Sequence, residues 1–262
     1  MDLGLQGKIV VVTGAGRGIG LATVRALVAE GAIVVAGSRS SNSDLEALRR
    51  DGRVTVHTID LASPGGPASL IGAALETHGG IDILVNNLGR GEPRTGFLNV
   101  PDEAWDESFA LNFLSAMRAC REVIPSMLAR GAGTIVNVSS VNGFLPNPRL
   151  IDYSAAKAAL KSLSKSLSEE FGPRGIRVNT ISPGPTNTPA WLDPETGIAA
   201  LAAEANQTTP EAILADMAAN LTLRRFSEPE EIAALIVFVA SGVAGSITGS
   251  DLVIDSGRVK TM

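Results

Sequence analysis

A tyrosine and a lysine lie four residues apart in the segment YSAAK, at Tyr153 and Lys157. On a helix this spacing places both side chains on one face. A tyrosine hydroxyl can donate a proton to an oxygen that gains negative charge. Its ordinary pKa of about 10 means that a neighbouring cation must favour the phenolate if it is to act as a base at neutral pH. The pair therefore predicts acid–base chemistry at an alcohol or carbonyl oxygen.

Two further polar residues accompany this pair. Ser140 ends a predicted strand thirteen residues before Tyr153, and Asn112 lies in a predicted aromatic-rich helix. Each has an ordinary alternative as a strand-end or helix polar group, and Ser139 competes with Ser140, which the spacing favours. Because four such residues on suitable elements rarely coincide, we treat Asn112, Ser140, Tyr153 and Lys157 as the candidate catalytic set.

A glycine-rich segment, TGAGRGIG at residues 13–20, follows the first predicted strand and leads into a helical pattern. Glycines allow a tight turn and the close approach of a pyrophosphate, while the helix N-terminus offers free N–H donors. A tight turn without a ligand is the alternative. The position between strand and helix favours dinucleotide binding by Gly14, Gly16, Arg17, Gly18, Ile19 and Gly20.

The residues at the end of the second predicted strand indicate whether the cofactor is NADP or NAD. An acidic residue there would accept hydrogen bonds from the ribose hydroxyls of NAD and repel a 2′-phosphate. Ser38 occupies this position, Arg39 follows it, and Arg17 lies within the glycine loop. Two guanidinium groups can converge on a phosphate, although both arginines could simply be solvated. The sequence predicts NADP(H) as the preferred cofactor and leaves NAD(H) possible.

The glycine spacing TGxxxGIG is wider than the GxGxxG of two-domain dehydrogenases. Together with YxxxK it resembles the short-chain dehydrogenase/reductase family, over nearly the whole chain. The resemblance includes 3-oxoacyl-[acyl-carrier-protein] reductases and related ketone reductases. It implies hydride transfer between a nicotinamide and a carbonyl or secondary alcohol.

The resemblance also implies a role for each candidate catalytic residue. Tyr153 would give or take the proton, and Lys157 would promote its ionisation together with an oxidised nicotinamide. Lys157 would also hold the nicotinamide ribose. Ser140 would hydrogen-bond the carbonyl oxygen, and Asn112 would hold a water that links Lys157 to solvent.

Further cofactor contacts follow from the same resemblance. Asp60 and Leu61, after the third predicted strand, match the position that contacts adenine. The family's NNAG segment is NNLG here, at residues 86–89, which keeps Asn87 and Gly89 but places the bulkier Leu88 beside the cofactor.

The segment PGPTNTP at residues 183–189 matches the family's PGxxxT. Its prolines stiffen the turn that leaves the sheet at its carboxyl edge, where ligands bind in this fold class. By resemblance Pro183, Gly184, Thr186 and Thr188 would hold the nicotinamide carboxamide. The family more often has an aliphatic residue at the position of Thr186.

Seven short apolar runs alternate with helical stretches, which is typical of strands covered on both faces and joined by crossover helices. They lie at residues 8–13, 33–35, 54–59, 83–85, 134–139, 176–181 and 252–254. We predict one α/β domain over residues 1–262, a doubly wound Rossmann-type parallel sheet of seven strands with helices on both faces. Ser227 and Glu230 form a predicted capping box before the last helix.

One long segment, about 185–226, departs from this alternation and is predicted to be a substrate lid. Its apolar residues favour a small, moderately apolar and uncharged substrate, unless they only pack the lid's own helices. They are Trp191, Leu192, Ile198, Leu201, Ile213, Leu214 and Met217.

The resemblance also bears on partners. Arg130, Arg174 and Arg177 could dock an acidic acyl carrier protein, although solvated side chains are the favoured alternative. A homotetramer is expected by analogy, through helices at about residues 101–130 and 152–171.

Composition excludes several other classes. Lys and Arg total 22 against 27 Asp and Glu, without a dense basic run, which argues against nucleic acid. Cys120 is the only cysteine, and no Cys or His cluster has metal-ligand spacing. With no basic leader, and no apolar run longer than residues 232–240, we expect a cytoplasmic protein without a membrane span.

Two rival functions remain open at the level of sequence. One is a catalytically silent NADP-binding regulator, and the other is a lyase or epimerase that reuses bound nicotinamide. The complete candidate set argues against the first.

Overall fold

Seven parallel strands form one sheet in the order β3-β2-β1-β4-β5-β6-β7 in the computed structural model, which describes residues 1–50 and 52–260. The predicted α/β fold is confirmed, and each strand overlaps its predicted run. The strands are β1 (Ile9–Thr13), β2 (Ile33–Ser38), β3 (Val54–Thr58), β4 (Ile83–Asn86), β5 (Gly133–Val138), β6 (Ile176–Pro183) and β7 (Asp251–Ile254).

Helices cover both faces of the sheet. Alternate residues of β1 illustrate why: Val10 and Val12 pack into one apolar core with α1, α2 and α10, and Val11 packs into a second core with α3 and α5. The helices are α1 (Gly18–Ala29), α2 (Ser43–Arg50), α3 (Gly66–His78), α4 (Asp102–Phe109), α5 (Ser115–Arg130), α6 (Ile151–Phe171), α7 (Pro189–Leu192), α8 (Ile198–Asn206), α9 (Pro210–Ala219) and α10 (Pro229–Ala240). Among the residues described, none of these helices combines the length and hydropathy that a membrane span requires.

The helix expected over residues 101–130 runs through α4 and α5, with a local change in its hydrogen bonding that the sequence did not predict. A π-helical turn, Ala110–Leu114, separates α4 from α5 and contains Asn112. The Asn112 side-chain amide donates to the Ser108 carbonyl one turn earlier, at 3.0 Å. Such π turns are rare and frequently occur at functional sites.

The predicted capping box of α10 is displaced by one residue. Glu228 is the N-cap, and the Glu228 backbone N–H donates to the Glu231 side chain at 2.8 Å. Ser227 is instead buried against Ser256, with 3.1 Å between the two hydroxyl oxygens. The longer glutamate therefore replaces the expected serine as the cap.

Three short helices, α7 to α9, make up the segment between β6 and α10. The chain after β7 returns to this segment: the Leu223 N–H donates to the Ser256 carbonyl at 3.0 Å, and the Thr222 hydroxyl donates to the Gly257 carbonyl at 3.1 Å. The C-terminal residues thus fasten one end of the segment to the sheet.

Candidate active site

A cleft of about 800 Å³ lies at the carboxyl ends of the strands, within the size range of small-molecule and cofactor sites. It gathers residues from the loops after β1, β3 and β4, from the ends of β2, β5 and β6, and from α6. Of the predicted cofactor-binding residues only Gly20 is absent from its lining, and of the four catalytic candidates only Asn112 is absent. The predicted residues that line it are Gly14, Gly16, Arg17, Gly18, Ile19, Ser38, Arg39, Asp60, Leu61, Asn87, Gly89, Ser140, Tyr153, Lys157, Pro183, Gly184, Thr186 and Thr188.

The glycine loop has the backbone that its sequence predicts. Gly14 and Gly18 have φ values of +65° and +54°, a region that residues with a side chain rarely adopt. Gly20 lies behind the loop, where a Cβ would collide with the Gly14 carbonyl oxygen. Helix α1 begins at Gly18 without a side-chain cap, so among the described residues its first N–H groups have no capping side chain. This loop can hold a pyrophosphate.

The end of β2 packs directly against the glycine loop. The Ser38 hydroxyl donates to the Ser40 carbonyl at 2.6 Å, and a Cβ on Gly16 would lie only 2.6 Å from the same hydroxyl oxygen. Arg17 and Arg39 are both exposed and both line this end of the cleft. With serine in place of an acid, the local charge fits a 2′-phosphate.

Loops after β3 and β4 form the neighbouring walls. The Asp60 carboxylate accepts a hydrogen bond from the Ala62 N–H at 3.0 Å. The Asn87 amide donates to the carbonyls of Thr13 and Gly14, both at 3.2 Å. Leu88 does not disturb this arrangement, since its N–H donates to the Thr13 hydroxyl at 3.2 Å.

The turn after β6 closes the cleft beside the start of α1. The Thr186 hydroxyl donates to the Gly184 carbonyl at 3.0 Å, and the Thr188 hydroxyl donates to the Thr186 carbonyl at 3.3 Å. A Cβ on Gly18 would lie 3.1 Å from the Thr188 methyl carbon. The segments predicted to hold the pyrophosphate and the nicotinamide carboxamide therefore lie side by side.

Tyr153 and Lys157 lie in the first two turns of α6, as their spacing predicts. The Lys157 ammonium is 5.7 Å from the centroid of the Tyr153 ring and donates to the Val138 carbonyl at 2.9 Å. The Lys157 side chain is almost wholly buried, and this burial lowers its pKa to about 7. Tyr153 faces the cleft, beside Ser140.

The acidification of Tyr153 by Lys157 together with an oxidised nicotinamide stays a prediction. Burial raises the pKa of Tyr153, and a hydrogen bond with Ser140 only partly opposes that effect. Desolvation disfavours the charged form of both neighbours, so a buried lysine that titrates near neutrality is a weak source of positive charge.

Ser139 and Ser140 have distinct surroundings. The Ser139 hydroxyl donates to the Lys157 carbonyl at 3.0 Å and so fastens α6 to the end of β5. Ser140 accepts a hydrogen bond from the Asn142 N–H at 3.1 Å and lies next to Tyr153. The arrangement supports Ser140 as the residue available to a substrate oxygen.

Asn112 is buried behind the cleft. Its side chain accepts from the Arg90 N–H at 2.9 Å and donates to the Arg90 carbonyl at 3.0 Å. A Cβ on Gly89 would lie 2.8 Å from both the Asn112 amide oxygen and the Lys157 nitrogen, so these two groups share one neighbourhood. Asn112 holds the loop after β4 in place, while its role in a water relay stays a prediction.

A buried polar chain fixes α6 against the sheet. The Asn86 amide donates to the Asn137 amide oxygen, and the Asn137 amide donates to the Ser164 hydroxyl, both at 2.8 Å. Buried hydrogen-bond networks of this kind rigidify the elements that they join. The helix that carries Tyr153 and Lys157 is thus anchored at two points, here and at Ser139.

Sequence reasoning missed several cleft residues. They are Arg90, Asn142, Asn147, Arg149 and Arg258. They come from the loops after β4 and β5, the turn before α6 and the C-terminal segment, and none belongs to a motif. Only the fold brings these segments together, so no local signal identifies them.

The apolar residues of the predicted lid fall into two groups. Trp191, Ile198, Ile213 and Met217 line the cleft, and the Trp191 ring packs edge-on against Phe226 with centroids 5.0 Å apart. Leu192, Leu201 and Leu214 do not line it. The segment therefore contributes an apolar wall to the site.

The three arginines considered for acyl-carrier docking lie at the amino edge of the sheet: Arg130 precedes β5, Arg174 precedes β6, and Arg177 is the second residue of β6. The Arg130 guanidinium pairs with Asp82 at 2.6 Å, and that of Arg174 stacks on the Phe171 ring at 4.5 Å. Arg177 is half-buried and donates to carbonyls at the end of α10, including those of Val239 and Ser241 at 3.0 Å. A strand of about 20 Å separates this edge from the cleft.

The low pKa of Lys157 predicts a stability signature for Lys157→Met. In the unfolded chain a lysine titrates near pH 10.4, roughly, and in the folded protein near 7. Protonation is thus disfavoured in the folded state, and this penalty is complete below about pH 7 and disappears as the pH rises towards about 10. Lys157→Met removes this penalty. The unfolding free energy of the variant minus that of the parent should therefore fall by about 2–3 kcal/mol between about pH 6 and pH 9.

Denaturant unfolding of the ligand-free protein across this pH range measures the effect, with the exposed Lys165→Met as the control. Loss of the hydrogen bond to Val138 adds a constant offset and leaves the slope unchanged. A pH-independent difference would show that Lys157 has an ordinary pKa.

Comparisons with known proteins relate the chain to a family of oxidoreductases. A family model described as Enoyl-(Acyl carrier protein) reductase matches residues 14–258. The chain is 36% identical to the uncharacterized oxidoreductase YvrD of Bacillus subtilis, over 100% of both chains. It is 32% identical to the 3-oxoacyl-[acyl-carrier-protein] reductase FabG of Thermotoga maritima, over 97% of this chain and 99% of that protein.

Among solved structures, the L-sorbose reductase of Gluconobacter frateurii, complexed with NADPH and L-sorbose, superposes with a TM-score of 0.92 at 34% identity. The match covers 100% of both chains. The fold and these comparisons identify an oxidoreductase. The chain belongs to the short-chain dehydrogenase/reductase family.

Proposed function

We propose that this protein is an NADP(H)-dependent oxidoreductase that interconverts a carbonyl and a secondary alcohol on a small, moderately apolar substrate. The observation that carries the proposal is the grouping of Tyr153, Lys157 and Ser140 in the cleft that the glycine loop also lines. Bound NADPH would supply the hydride.

The chain's own residues would manage the oxygen and the proton. A substrate oxygen between Ser140 and Tyr153 would accept hydrogen bonds from both hydroxyls, which stabilise negative charge as it develops. Tyr153 would release its proton to that oxygen, a transfer that suits a tyrosine whose burial keeps it protonated. Lys157 would return the proton, since a pKa of about 7 lets it exchange protons near neutrality.

The residues at the far end of the cleft fit NADP(H). Gly14, Gly16 and Gly18 would admit the pyrophosphate, and Arg17 and Arg39 would bind the 2′-phosphate. The likeness to an L-sorbose reductase complexed with NADPH supports this preference. The site can also admit NAD(H), but it has Ser38 at the position where an acidic residue would favour that cofactor.

The apolar wall from Trp191, Ile198, Ile213 and Met217 supports an uncharged substrate, enclosed by the lid at about 185–226. The likeness to FabG favours a second candidate, reduction of a thioester held by an acyl carrier protein. The positions of Arg130, Arg174 and Arg177 at the opposite edge argue against docking of a carrier through them.

A homotetramer is part of the proposal. Phe97 and Leu98 are 62% and 93% exposed, and the Phe97 ring packs edge-on against Trp105 of α4. Exposed apolar residues of this kind are typical of interfaces between subunits. Light scattering of the purified protein measures the mass directly.

The experiment that tests the function is the loss of NADPH absorbance with a panel of carbonyl compounds. The panel includes a keto sugar such as L-sorbose, simple ketones and a 3-oxoacyl thioester. Sustained loss that depends on an added ketone supports the proposal, whereas turnover of the thioester alone favours the second candidate. Tight NADPH binding without turnover on any member favours the silent regulator, and product formation without NADPH loss favours a lyase or epimerase.

A further inference from the structure

The loop after β4 follows the cleft and then reaches the start of α6. At Gly89 it touches Asn112 and Lys157, and at Gly91 a Cβ would lie 3.3 Å from the Tyr153 ring. The loop next places Arg94 against Asp152, the residue that directly precedes Tyr153. It therefore contacts the candidate catalytic helix on both sides of the tyrosine.

Arg94 and Asp152 form an ion pair at the first turn of α6. The Arg94 Nη2 and Nε atoms donate to one carboxylate oxygen of Asp152, at 2.6 and 3.1 Å. The Asp152 side chain is 1% exposed and that of Arg94 is 20% exposed. The second Asp152 oxygen, Oδ1, is buried and has no hydrogen-bond partner in the described part of the chain. Arg94 is thus the only described side chain that compensates this buried carboxylate.

Arg94 is itself held from the helix side. Its backbone N–H donates to the Arg149 carbonyl at 2.7 Å, two residues before α6 begins. Its third guanidinium nitrogen lies 3.4 Å from Glu92. The loop, the turn before α6 and the first turn of α6 are therefore joined through one residue.

A buried ion pair is a poor means of adding stability, because desolvation offsets most of its attraction. Removal of one partner is nevertheless severe, since it leaves a buried charge without compensation. A buried ion pair that adds little stability, but is costly to break, favours one geometry of the backbone around it over others. Here the surroundings are the backbone of Tyr153.

We propose that Arg94 is a positioning residue, which fixes the first turn of α6 through Asp152 and so sets the place of the Tyr153 hydroxyl beside Ser140. The inference rests on the proposed function for its effect on turnover. Arg94 does not line the cleft, so it acts through Asp152 and not on a ligand. A misplacement of about 1 Å in such a group can lower a rate about 100-fold.

The test compares Arg94→Gln with the parent, using Arg130→Gln as the matched control. Arg130 makes an equally short 2.6 Å ion pair, with Asp82, but at the opposite edge of the sheet. We expect kcat to fall by about 10- to 100-fold in Arg94→Gln while the KM for NADPH changes less than about twofold. Arg94→Lys, which keeps the charge, should recover part of the loss. Arg130→Gln should leave both constants unchanged.

A second readout does not depend on turnover. Amide hydrogen exchange within residues 152–156 should accelerate in Arg94→Gln and remain as in the parent in Arg130→Gln. An unchanged kcat well below the melting temperature, or exchange that is unaltered at these residues, would overturn the proposal. If the parent turns over none of the carbonyl compounds, the proposed function fails and the exchange result alone decides the role of Arg94. If Arg94→Gln does not fold, Arg94→Lys provides both readouts, with a smaller expected loss in kcat.

Discussion

Tyr153→Phe is expected to lower kcat for carbonyl reduction by about 1,000-fold, because the substrate oxygen loses its proton donor. The ring itself should stay in place, since the substitution removes only the hydroxyl and Gly91 lies against the ring carbons. NADPH affinity should therefore change little. Steady-state kinetics with NADPH and the best ketone of the panel, together with a direct binding titration, measure both effects.

Ser166→Ala is the matched control on the same helix, because Ser166 is exposed and far from the cleft along α6. It should retain the parent's kcat. Since Tyr153 is the only tyrosine of the chain, phenolate absorbance also reports its ionisation without a contribution from another tyrosine. Full activity in Tyr153→Phe would show that another group supplies the proton.

The second large effect concerns the cofactor. Arg39→Ala should lower kcat/KM for NADPH by about 10- to 100-fold and leave that for NADH nearly unchanged, because a hydrogen bond to a charged group contributes about 1.5–3 kcal/mol. Adding Ser38→Asp should invert the preference, since the carboxylate repels a 2′-phosphate and accepts hydrogen bonds from ribose hydroxyls. The ratio of the two kcat/KM values is the measurement.

Arg49→Ala serves as the control, because Arg49 is an exposed residue of α2 that does not line the cleft. An unchanged ratio of NADPH to NADH in Arg39→Ala would contradict the assignment of the phosphate site. The same outcome would leave the proton chemistry at Tyr153 untouched, since the two ends of the cleft are built from different segments.

The sequence predicts the sheet and most of the cleft because both depend on local patterns. Apolar runs fix the strands, and the carboxyl ends of parallel strands must meet at one edge, so residues that follow strands converge there. Gly14, Ser38, Asp60 and Ser140 all follow this rule and line the cleft. The YxxxK spacing likewise fixes one face of α6.

Other features depend on contacts between distant segments and leave no local signal. The π turn at Asn112 arises where the side chain bonds to the loop at Arg90, 22 residues away. The pKa values of Tyr153 and Lys157 follow from how deeply the fold buries them, which spacing does not convey. The ion pair of Arg94 with Asp152 spans 58 residues and is equally hidden in the sequence.

The central claim is that hydride passes from NADPH to a carbonyl carbon beside Tyr153. NADPH that carries deuterium at the transferable position of the nicotinamide, with the best ketone of the panel, tests it by mass spectrometry of the alcohol. We predict one deuterium at the carbinol carbon with the parent protein and almost no labelled product with Tyr153→Phe. An alcohol without label, or NADPH consumption that yields no alcohol, would contradict the account.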